Sequence, residues 1–439
     1  MLTAALHGLL EGRPPTRIRW GLDRIRALLD GLGNPERGFR CVHVGGTNGK
    51  GSVAVTCEAL LREAGLRTGL YTSPHLIEFA ERIRIDGVIA DPRLLDREAQ
   101  RLTASVRDVE ASFFEAATAL AVQAFDRAGV EVAVLEVGLG GRLDATNVVS
   151  PDVTVITNVA ADHADLLGGT VREVASEKAG IIKAQTPVVL GPMDREAETV
   201  CLGRARALEA SAHRYGEAFR AEDVRVLEQG TSFRYRSPDT PRGFELTTRL
   251  VGRHQAENAA LALRAVELLR PLARDATRRA LERIDWPGRA QRIRTPEGAW
   301  LLDLAHNPAG AAALAATLDE LPFDEPLVVL AAILGDKDWE AMLGPLLRRA
   351  VGAVFTVAPS SPAERRWDPA AAAASVGDVR PLVESSFRRA MARARELAGG
   401  GTVLVTGSCH TVGDALLRLT AGAGIDRTET EAEAKANAV

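Results

Sequence analysis

Residues 40–64 join a short apolar run, RCVHV, to an apolar-periodic helix through the octapeptide Gly45-Gly46-Thr47-Asn48-Gly49-Lys50-Gly51-Ser52. A glycine-rich turn in that position lets backbone N–H groups face an anion at the positive end of a helix, and a lysine there adds charge for the outer phosphates of a nucleotide. It also constrains the fold, because such a loop belongs at the carboxyl edge of a buried parallel strand. The loop departs from the common GxxxxGK[ST] form: Val44 stands where the first glycine would be, and Gly51 separates Lys50 from Ser52.

The rest of the first half continues the alternation. Apolar runs at 68–71, 132–137, 153–157 and 187–190 are predicted strands, and 96–109 and 113–128 predicted helices, the pattern of a doubly covered parallel sheet. Between 212 and 250 the runs shorten and are separated by Gly, Pro and Ser, which predicts a small antiparallel elaboration. Helices return at 255–269 and 275–284. The tetrapeptide Trp286-Pro287-Gly288-Arg289 breaks the last of these, and a second strand–helix alternation follows, with strands at 300–304, 327–332, 353–357 and 402–406 and a final helix at 412–419. The predicted organisation is an ATP-binding domain over residues 1–286, a linker at 287–293, a smaller α/β domain over 294–423 and a disordered tail at 424–439, whose composition lacks large apolar side chains. The fold class is therefore α/β, a P-loop-type parallel-sheet domain followed by a smaller Rossmann-like domain.

Composition narrows the partners. A chain of 439 residues with 46% hydrophobic and 26% charged residues reads as globular. Its net charge of −4 gives no global attraction to nucleic acid or an anionic bilayer. No run of about 18 apolar residues exists, and residues 1–20 carry Arg and Pro where an export signal needs an apolar stretch. Cys41, Cys57, Cys201 and Cys409 show neither paired nor metal-binding spacing, as expected of free thiols in a reducing cytoplasm. The basic residues are skewed: of 54, only Lys50, Lys178, Lys183, Lys337 and Lys435 are lysines, leaving 49 arginines. Where this chain needs a surface cation it uses Arg, so each Lys marks a position where a compact charge or a neutralisable amine is required.

Further segments carry chemistry in order along the chain. Glu136 ends the strand VAVLE, where a carboxylate points into the crevice in which α/β sheets bind ligands and calls for a cation, either a metal or an arginine such as Arg142. Ser73 and His163 follow other buried strands at a similar edge, with Asp162 beside His163 as an alternative ligand. The loop from Gly140-Gly141 to Asn147 is small and polar, suited to close approach of a flat ligand.

Together GTNGKGS, TSPHL (72–76), FE (114–115), EVGLGGRLDATN (136–147), DHADLLG (162–168), EKAGIIK (177–183), HQAEN (254–258), PGRAQ (287–291), DLAHNP (303–308), GDKD (335–338) and GSCHTVGD (407–414) resemble the folylpolyglutamate synthase and dihydrofolate synthase family of the Mur ligases, over residues 16–420. The resemblance implies an ATP-dependent ligase that joins L-glutamate to a reduced folate, and to dihydropteroate, through an acyl phosphate. It implies a nucleotide site made by Thr47, Asn48, Gly49, Lys50, Gly51 and Ser52 with Asn258, Arg289 and Asp303, closed by both domains. His306 would contact phosphate or order its loop, with Asn307 as the helix cap. Two Mg²⁺ ions are implied at Ser73, Glu136 and His163, although imidazole is the least expected ligand for so hard a cation. Lys178 corresponds to a lysine carbamylated by CO₂, a reaction closed to arginine; a plain salt bridge is the alternative there and the expectation for Lys183. Arg17, Trp20, Ser112, Phe113, Phe114, Glu115, Gly141, Asp144 and Ala145 correspond to the pterin site. A cytoplasmic monomer is expected, with no nucleic-acid or membrane partner. The competing readings are a ligase of cell-wall precursors, a P-loop ATPase driving a conformational change, and a nucleotide-binding regulator.

Overall fold

A computed structural model of the chain describes residues 3–14, 17–160, 164–377 and 379–421. Asp162, His163 and the 424–439 tail lie outside the described residues. The chain divides into two compact units, one of Met1–Pro287 with Ala316–Pro322, the other of Gly288–Ala315 with Phe323 onward.

The first unit is built on an eight-stranded sheet of β1 (Arg40–Gly45), β2 (Thr68–Tyr71), β3 (Ile83–Ile85), β4 (Val88–Ile89), β5 (Val132–Glu136), β6 (Val153–Ile156), β7 (Val188–Leu190) and β8 (Ala212–Arg214). Their spatial order is β4-β3-β2-β5-β1-β6-β7-β8, parallel except where β3 turns back on β2 and β4 on β3. The central strands β1, β5 and β6 are short, β-branched and buried on both faces, as parallel strands between helical layers must be. Val42 and Val44 face one layer, in which the Lys50–Glu63 and Arg253–Glu267 helices pack; Cys41 faces the other, with the Phe113–Ala128 helix. The 212–250 region adds a separate antiparallel sheet, β11-β10-β9, from β9 (Arg220–Leu227), β10 (Gly230–Ser237) and β11 (Thr240–Thr248).

The second unit holds a six-stranded sheet of β12 (Gln291–Thr295), β13 (Gly298–Leu302), β14 (Leu327–Ala331), β15 (Gly352–Phe355), β16 (Leu382–Val383) and β17 (Thr402–Thr406), ordered β12-β13-β17-β14-β15-β16. All pairs are parallel except β12 with β13. β12 begins inside the segment 287–293 expected as a linker, so Gln291, Arg292 and Ile293 pair with β13. The strand expected at 300–304 runs from Gly298 to Leu302, which puts Asp303 just beyond its carboxyl end. Two N-terminal helices, Ala4–Leu10 and Asp23–Gly31, bury Leu6, Leu9, Ile25, Leu28 and Leu29. Cys41, Cys57 and Cys201 are buried free thiols, and Cys409 is half-buried. No helix among the described residues is long and apolar enough to cross a membrane.

Candidate functional site

β1 ends at Gly45, and the Lys50–Glu63 helix opens with Gly49 as its cap, in the left-handed region at φ +82°. A side chain at Gly49 would be strained by that φ and would set its Cβ 2.5 Å from Asn258 Oδ1 on the Arg253–Glu267 helix. Asn258, far away in sequence, therefore flanks the loop, its own amide donating to Gln255 Oε1 at 3.1 Å. The residues that follow β6 hold the loop's other side. Thr157 Oγ1 and Asn158 Nδ2 donate to Asn48 O at 2.6 and 3.1 Å, Asn158 Oδ1 accepts from Asn48 N at 3.0 Å, and Thr47 N donates to Asn158 O. Thr157 and Asn158 were missed in the sequence. The signal available was two polar side chains at the carboxyl end of a buried strand.

With its rim held in this way, the loop directs the first turn of the helix, whose N–H groups have no partner within the helix, at whatever lies in front of it. Lys50 Nζ arches back to Thr47 O at 3.0 Å. Lys178, on the Val171–Ala179 helix, is 4% exposed and donates from Nζ to Gly46 O, also at 3.0 Å. Two of the five lysines thus converge on one short loop. Lys183 donates to Asn147 O at 2.9 Å, a backbone contact in place of the expected salt bridge.

Glu136 lies beside Val44 in the β1–β5 register and is 5% exposed; its Oε2 accepts from Ser73 N at 2.9 Å and lies close to Gly51. An ion pair with Arg142 is not formed, since Arg142 binds Glu177 at 2.7 Å. Ser52 Oγ, on the first turn of the same helix, is buried with no hydrogen-bond partner. An orphaned hydroxyl, a carboxylate and the Ser73 side chain are hard oxygen donors of the kind Mg²⁺ accepts, so the residues present fit that ion. Among the described residues no group of three His, Cys, Asp or Glu stands ready for a metal.

The expected pterin residues fall around the start of the Phe113–Ala128 helix and the loop after β5. Ser112 caps that helix, and Glu115 returns a carboxylate oxygen to Ser112 N at 2.8 Å while pairing with Arg24 at 3.1 Å. Glu115 is thus committed to a cap and an ion pair. Phe113 stacks edge-on against Phe79 with the Arg82 guanidinium 5.3 Å from its centroid, and Phe114 leans on Tyr71. Asp144 caps the Ala145–Val148 turn, its carboxylate accepting from Thr146 N at 3.0 Å and Leu139 N at 2.9 Å. Burial raises its pKa, and these hydrogen bonds oppose the rise. Ala145 is buried, whereas Arg17 and Trp20 are exposed. Gly141 owes its small size to the protein: a Cβ there would lie 2.8 Å from Glu177 O, on the helix that carries Lys178. Arg17, Ser112 and Phe113 also line a cavity of about 350 Å³ with Arg13, Arg19 and Arg107.

In the second unit Asp303 lies just beyond the end of β13, where it accepts from Ala290 N and Ala305 N, both at 2.9 Å. Burial raises its pKa against the opposing charge of Arg289. His306 Nδ1 lies 3.0 Å from Leu304 O, and because a carbonyl only accepts, that nitrogen carries the proton. Asn307 Oδ1 accepts from Gly310 N at 2.8 Å and caps the Pro308–Glu320 helix, as its place before a proline predicts.

Residues 44–266 match the Mur ligase middle domain and residues 288–409 the Mur ligase glutamate ligase domain. The chain is 36% identical to the folylpolyglutamate synthase of Lacticaseibacillus casei, covering 88% of this chain and 91% of that protein. It is 40% identical to the dihydrofolate synthase/folylpolyglutamate synthase of Mycobacterium tuberculosis, over 77% of this chain and 74% of that one. A probable bifunctional folylpolyglutamate synthase/dihydropteroate synthase of Haloferax volcanii is 36% identical over 91% of this chain, which spans only 48% of that longer protein. The solved Mycobacterium tuberculosis folylpolyglutamate synthase complexed with ADP superimposes with a TM-score of 0.88 at 35% identity, covering 97% of this chain and 100% of that one. The motifs, the fold and these matches agree: the chain belongs to the folylpolyglutamate synthase/dihydrofolate synthase family of the Mur ligases.

Proposed function

We propose that this protein is an ATP-dependent ligase that joins L-glutamate to a pterin-bearing carboxylate, either a reduced folate or dihydropteroate. The observation that carries the reading is the convergence of Lys50, Lys178, Glu136 and the unpartnered Ser52 hydroxyl on the 45–52 loop. That set suits a triphosphate whose terminal group is transferred. The lysines offset its charge, and the helix N-terminus takes the phosphate oxygens. One relative is named folylpolyglutamate synthase and another dihydrofolate synthase/folylpolyglutamate synthase.

Condensing a carboxylate with an amine in water is uphill, and a carboxylate oxygen is a poor leaving group. In the proposed reaction the substrate carboxylate takes the γ-phosphoryl group of ATP, which gives an acyl phosphate and ADP. The α-amine of glutamate attacks the acyl carbon; phosphate leaves with the bond electrons, and the amine loses a proton. Thr47 to Ser52 bind and align the phosphates, and Asn258, beside Gly49, adds a nucleotide contact. Ser73, Glu136 and His163 would hold Mg²⁺, joined by Ser52 on the chemistry of its hydroxyl. The ion supplies charge neutralisation along the transferring phosphates. Lys178 in this reading carries a CO₂ adduct that adds an anionic oxygen pair beside the loop. Arg289, Asp303 and His306 contribute nucleotide contacts from the second unit, and Phe113, Phe114, Gly141 and Ala145 contact the pterin.

The test is direct. The purified chain with ATP, Mg²⁺ and L-glutamate is given dihydropteroate or tetrahydrofolate in separate reactions, with products read by mass spectrometry. ADP release should require both organic substrates, and glutamine in place of glutamate should be rejected by several orders of magnitude. ADP release with neither substrate present, and no glutamylated product, would return the chain to the P-loop ATPase reading; extension of a cell-wall peptide precursor alone would overturn the substrate assignment.

A further inference from the structure

A side chain outside the sites above reaches the 138–147 loop from the centre of the sheet. His43 lies on β1, fully buried, between Leu135 of β5 and Thr154 of β6. Its Nε2 stands 2.9 Å from Thr146 Oγ1, and Thr146 Oγ1 donates to Asp144 Oδ1 at 2.5 Å. The direction of the chain follows from inventory. Where Asp144 is ionised its carboxylate only accepts, so the single threonine proton goes to it, and the hydroxyl must then accept from the imidazole. His43 is therefore the Nε2–H tautomer, its Nδ1 bare and without a protein partner. Burial, helped by the positive charge of Lys183, pushes the imidazole down to about 3, so near neutral pH it is an uncharged donor.

The same loop is gripped from its other side. Asn147 Nδ2 donates to Arg142 O and Gly180 O, Lys183 holds Asn147 O, and Arg142 N donates to Glu177 O. Those contacts tie the loop to the helix of Lys178 and the turn after it. The His43 relay ties it to the strand that leads into the phosphate loop. Its position is thus set by both neighbours of the phosphate site, through a buried network in which His43 Nδ1 and Asn147 Oδ1 are left without a partner.

We propose that His43, acting through Thr146 and Asp144, is a positioning residue that fixes the 138–147 loop and so sets affinity for the pterin-bearing substrate, an inference that rests on the pterin contacts proposed for Gly141 and Ala145. Gln at position 43 presents a donor near the place of Nε2, whereas Leu presents none. His43→Leu should raise KM for the pterin substrate at least tenfold, with kcat within threefold of the parent and KM for ATP unchanged. His43→Gln should recover most of that loss. Thr146→Val should match His43→Leu, and the double variant should be no worse than the weaker single, because each breaks the same chain. Should His43→Leu fail to fold, Thr146→Val against Thr146→Ser makes the same comparison. A folded His43→Leu or Thr146→Val with parental KM, or one in which the pterin and ATP values rise together, overturns the proposal. Nitrogen-15 NMR of the His43 ring in the parent chain gives a readout that needs no turnover: a neutral Nε2–H ring from pH 5 to 9 is expected, and an Nδ1–H tautomer or an imidazolium overturns the relay. A parent chain that ligates neither pterin sinks the functional reading, and with it the affinity effect, while the NMR measurement still decides the hydrogen-bond chain.

Discussion

The loops that follow β1 and β5 look alike as sequence: both are glycine-rich, both leave a buried parallel strand at its carboxyl end, and the two strands are neighbours. They use their glycines in opposite ways. In the 45–52 loop Gly49 takes a left-handed conformation against Asn258, and the polar groups of Thr47 and Asn48 are held from behind, so the front stays available to a ligand. In the 138–147 loop Gly141 makes room for a helix carbonyl, and the polar side chains of Asp144, Thr146 and Asn147 bond to one another, to the loop's own backbone or to adjoining elements. Glycine content therefore does not reveal whether a loop's glycine serves a left-handed turn or close packing against a neighbouring helix. What the 45–52 loop has in addition is the N-terminus of a helix, with the unpartnered Ser52 hydroxyl on its first turn.

Substitutions can widen or erase this contrast, and the largest effect is expected at Lys50. Lys50→Ala should lower kcat/KM by about 1,000-fold, the scale seen when a preorganised group for transferring charge is removed. Its melting temperature should stay within about 2 °C of the parent, since a half-exposed lysine at a helix start contributes little to stability. Lys178→Arg comes next: a wider, permanently charged guanidinium must fit where a 4% exposed ammonium reaches Gly46 O, and activity should fall about 100-fold. Parental activity in that variant, or a bare ammonium in a crystal structure with nucleotide and metal bound, rules out the carbamate.

Gly49→Ala and Gly141→Ala set the loops against each other. The first forces an L side chain to φ +82° against Asn258 and should weaken nucleotide binding about tenfold in calorimetry. The second presses a methyl on Glu177 O and should act on stability, by about 1–3 kcal/mol in denaturant unfolding, with nucleotide affinity kept. Equal effects on both measures would erase the distinction. The smallest effect concerns pH. Burial raises the Asp144 carboxyl above its ordinary 3.8, so this group favours folding most at pH values below that figure, and the contribution is lost as pH rises through its folded-state value. Asp144→Asn turns one acceptor into a donor facing N–H groups and destabilises the protein throughout. The margin of parent over variant should narrow between pH 4 and pH 7 in thermal melts.

Much of this could be read in the sequence where a local rule applied. Strand–loop–helix at 40–64 follows from apolar periodicity and glycine, the antiparallel elaboration at 212–250 from its turn residues, and the cap at Asn307 from the proline after it. The scarcity of lysine marked Lys50 and Lys178 before any geometry was known. The failures are non-local. β12 carries two arginines in five residues and reads as loop, because its strand character comes from pairing with β13. The caps made by Glu115 and Asp144 went unread because a carboxylate near a binding loop has no sequence mark that shows an oxygen spent on a cap. His43 looked like one more residue of an apolar strand; its partner Thr146 is 103 positions away.

Asn258 against Gly49 has a consequence for how the molecule is made. The helix bearing Asn258 packs on the one that begins at Lys50, so that Cys57 and Ala262 meet across 205 positions of chain. Contacts at such separation pay their loop-closure entropy before they return any stabilisation, and they form late. The emerging polypeptide must therefore complete the whole 212–250 sheet and the helix after it before the nucleotide loop acquires its final wall. A nascent chain cut short of residue 253 still contains every glycine of that loop and both of its lysines. It should fail to retain ATP, and nucleotide capture would time the moment at which the first unit closes during synthesis.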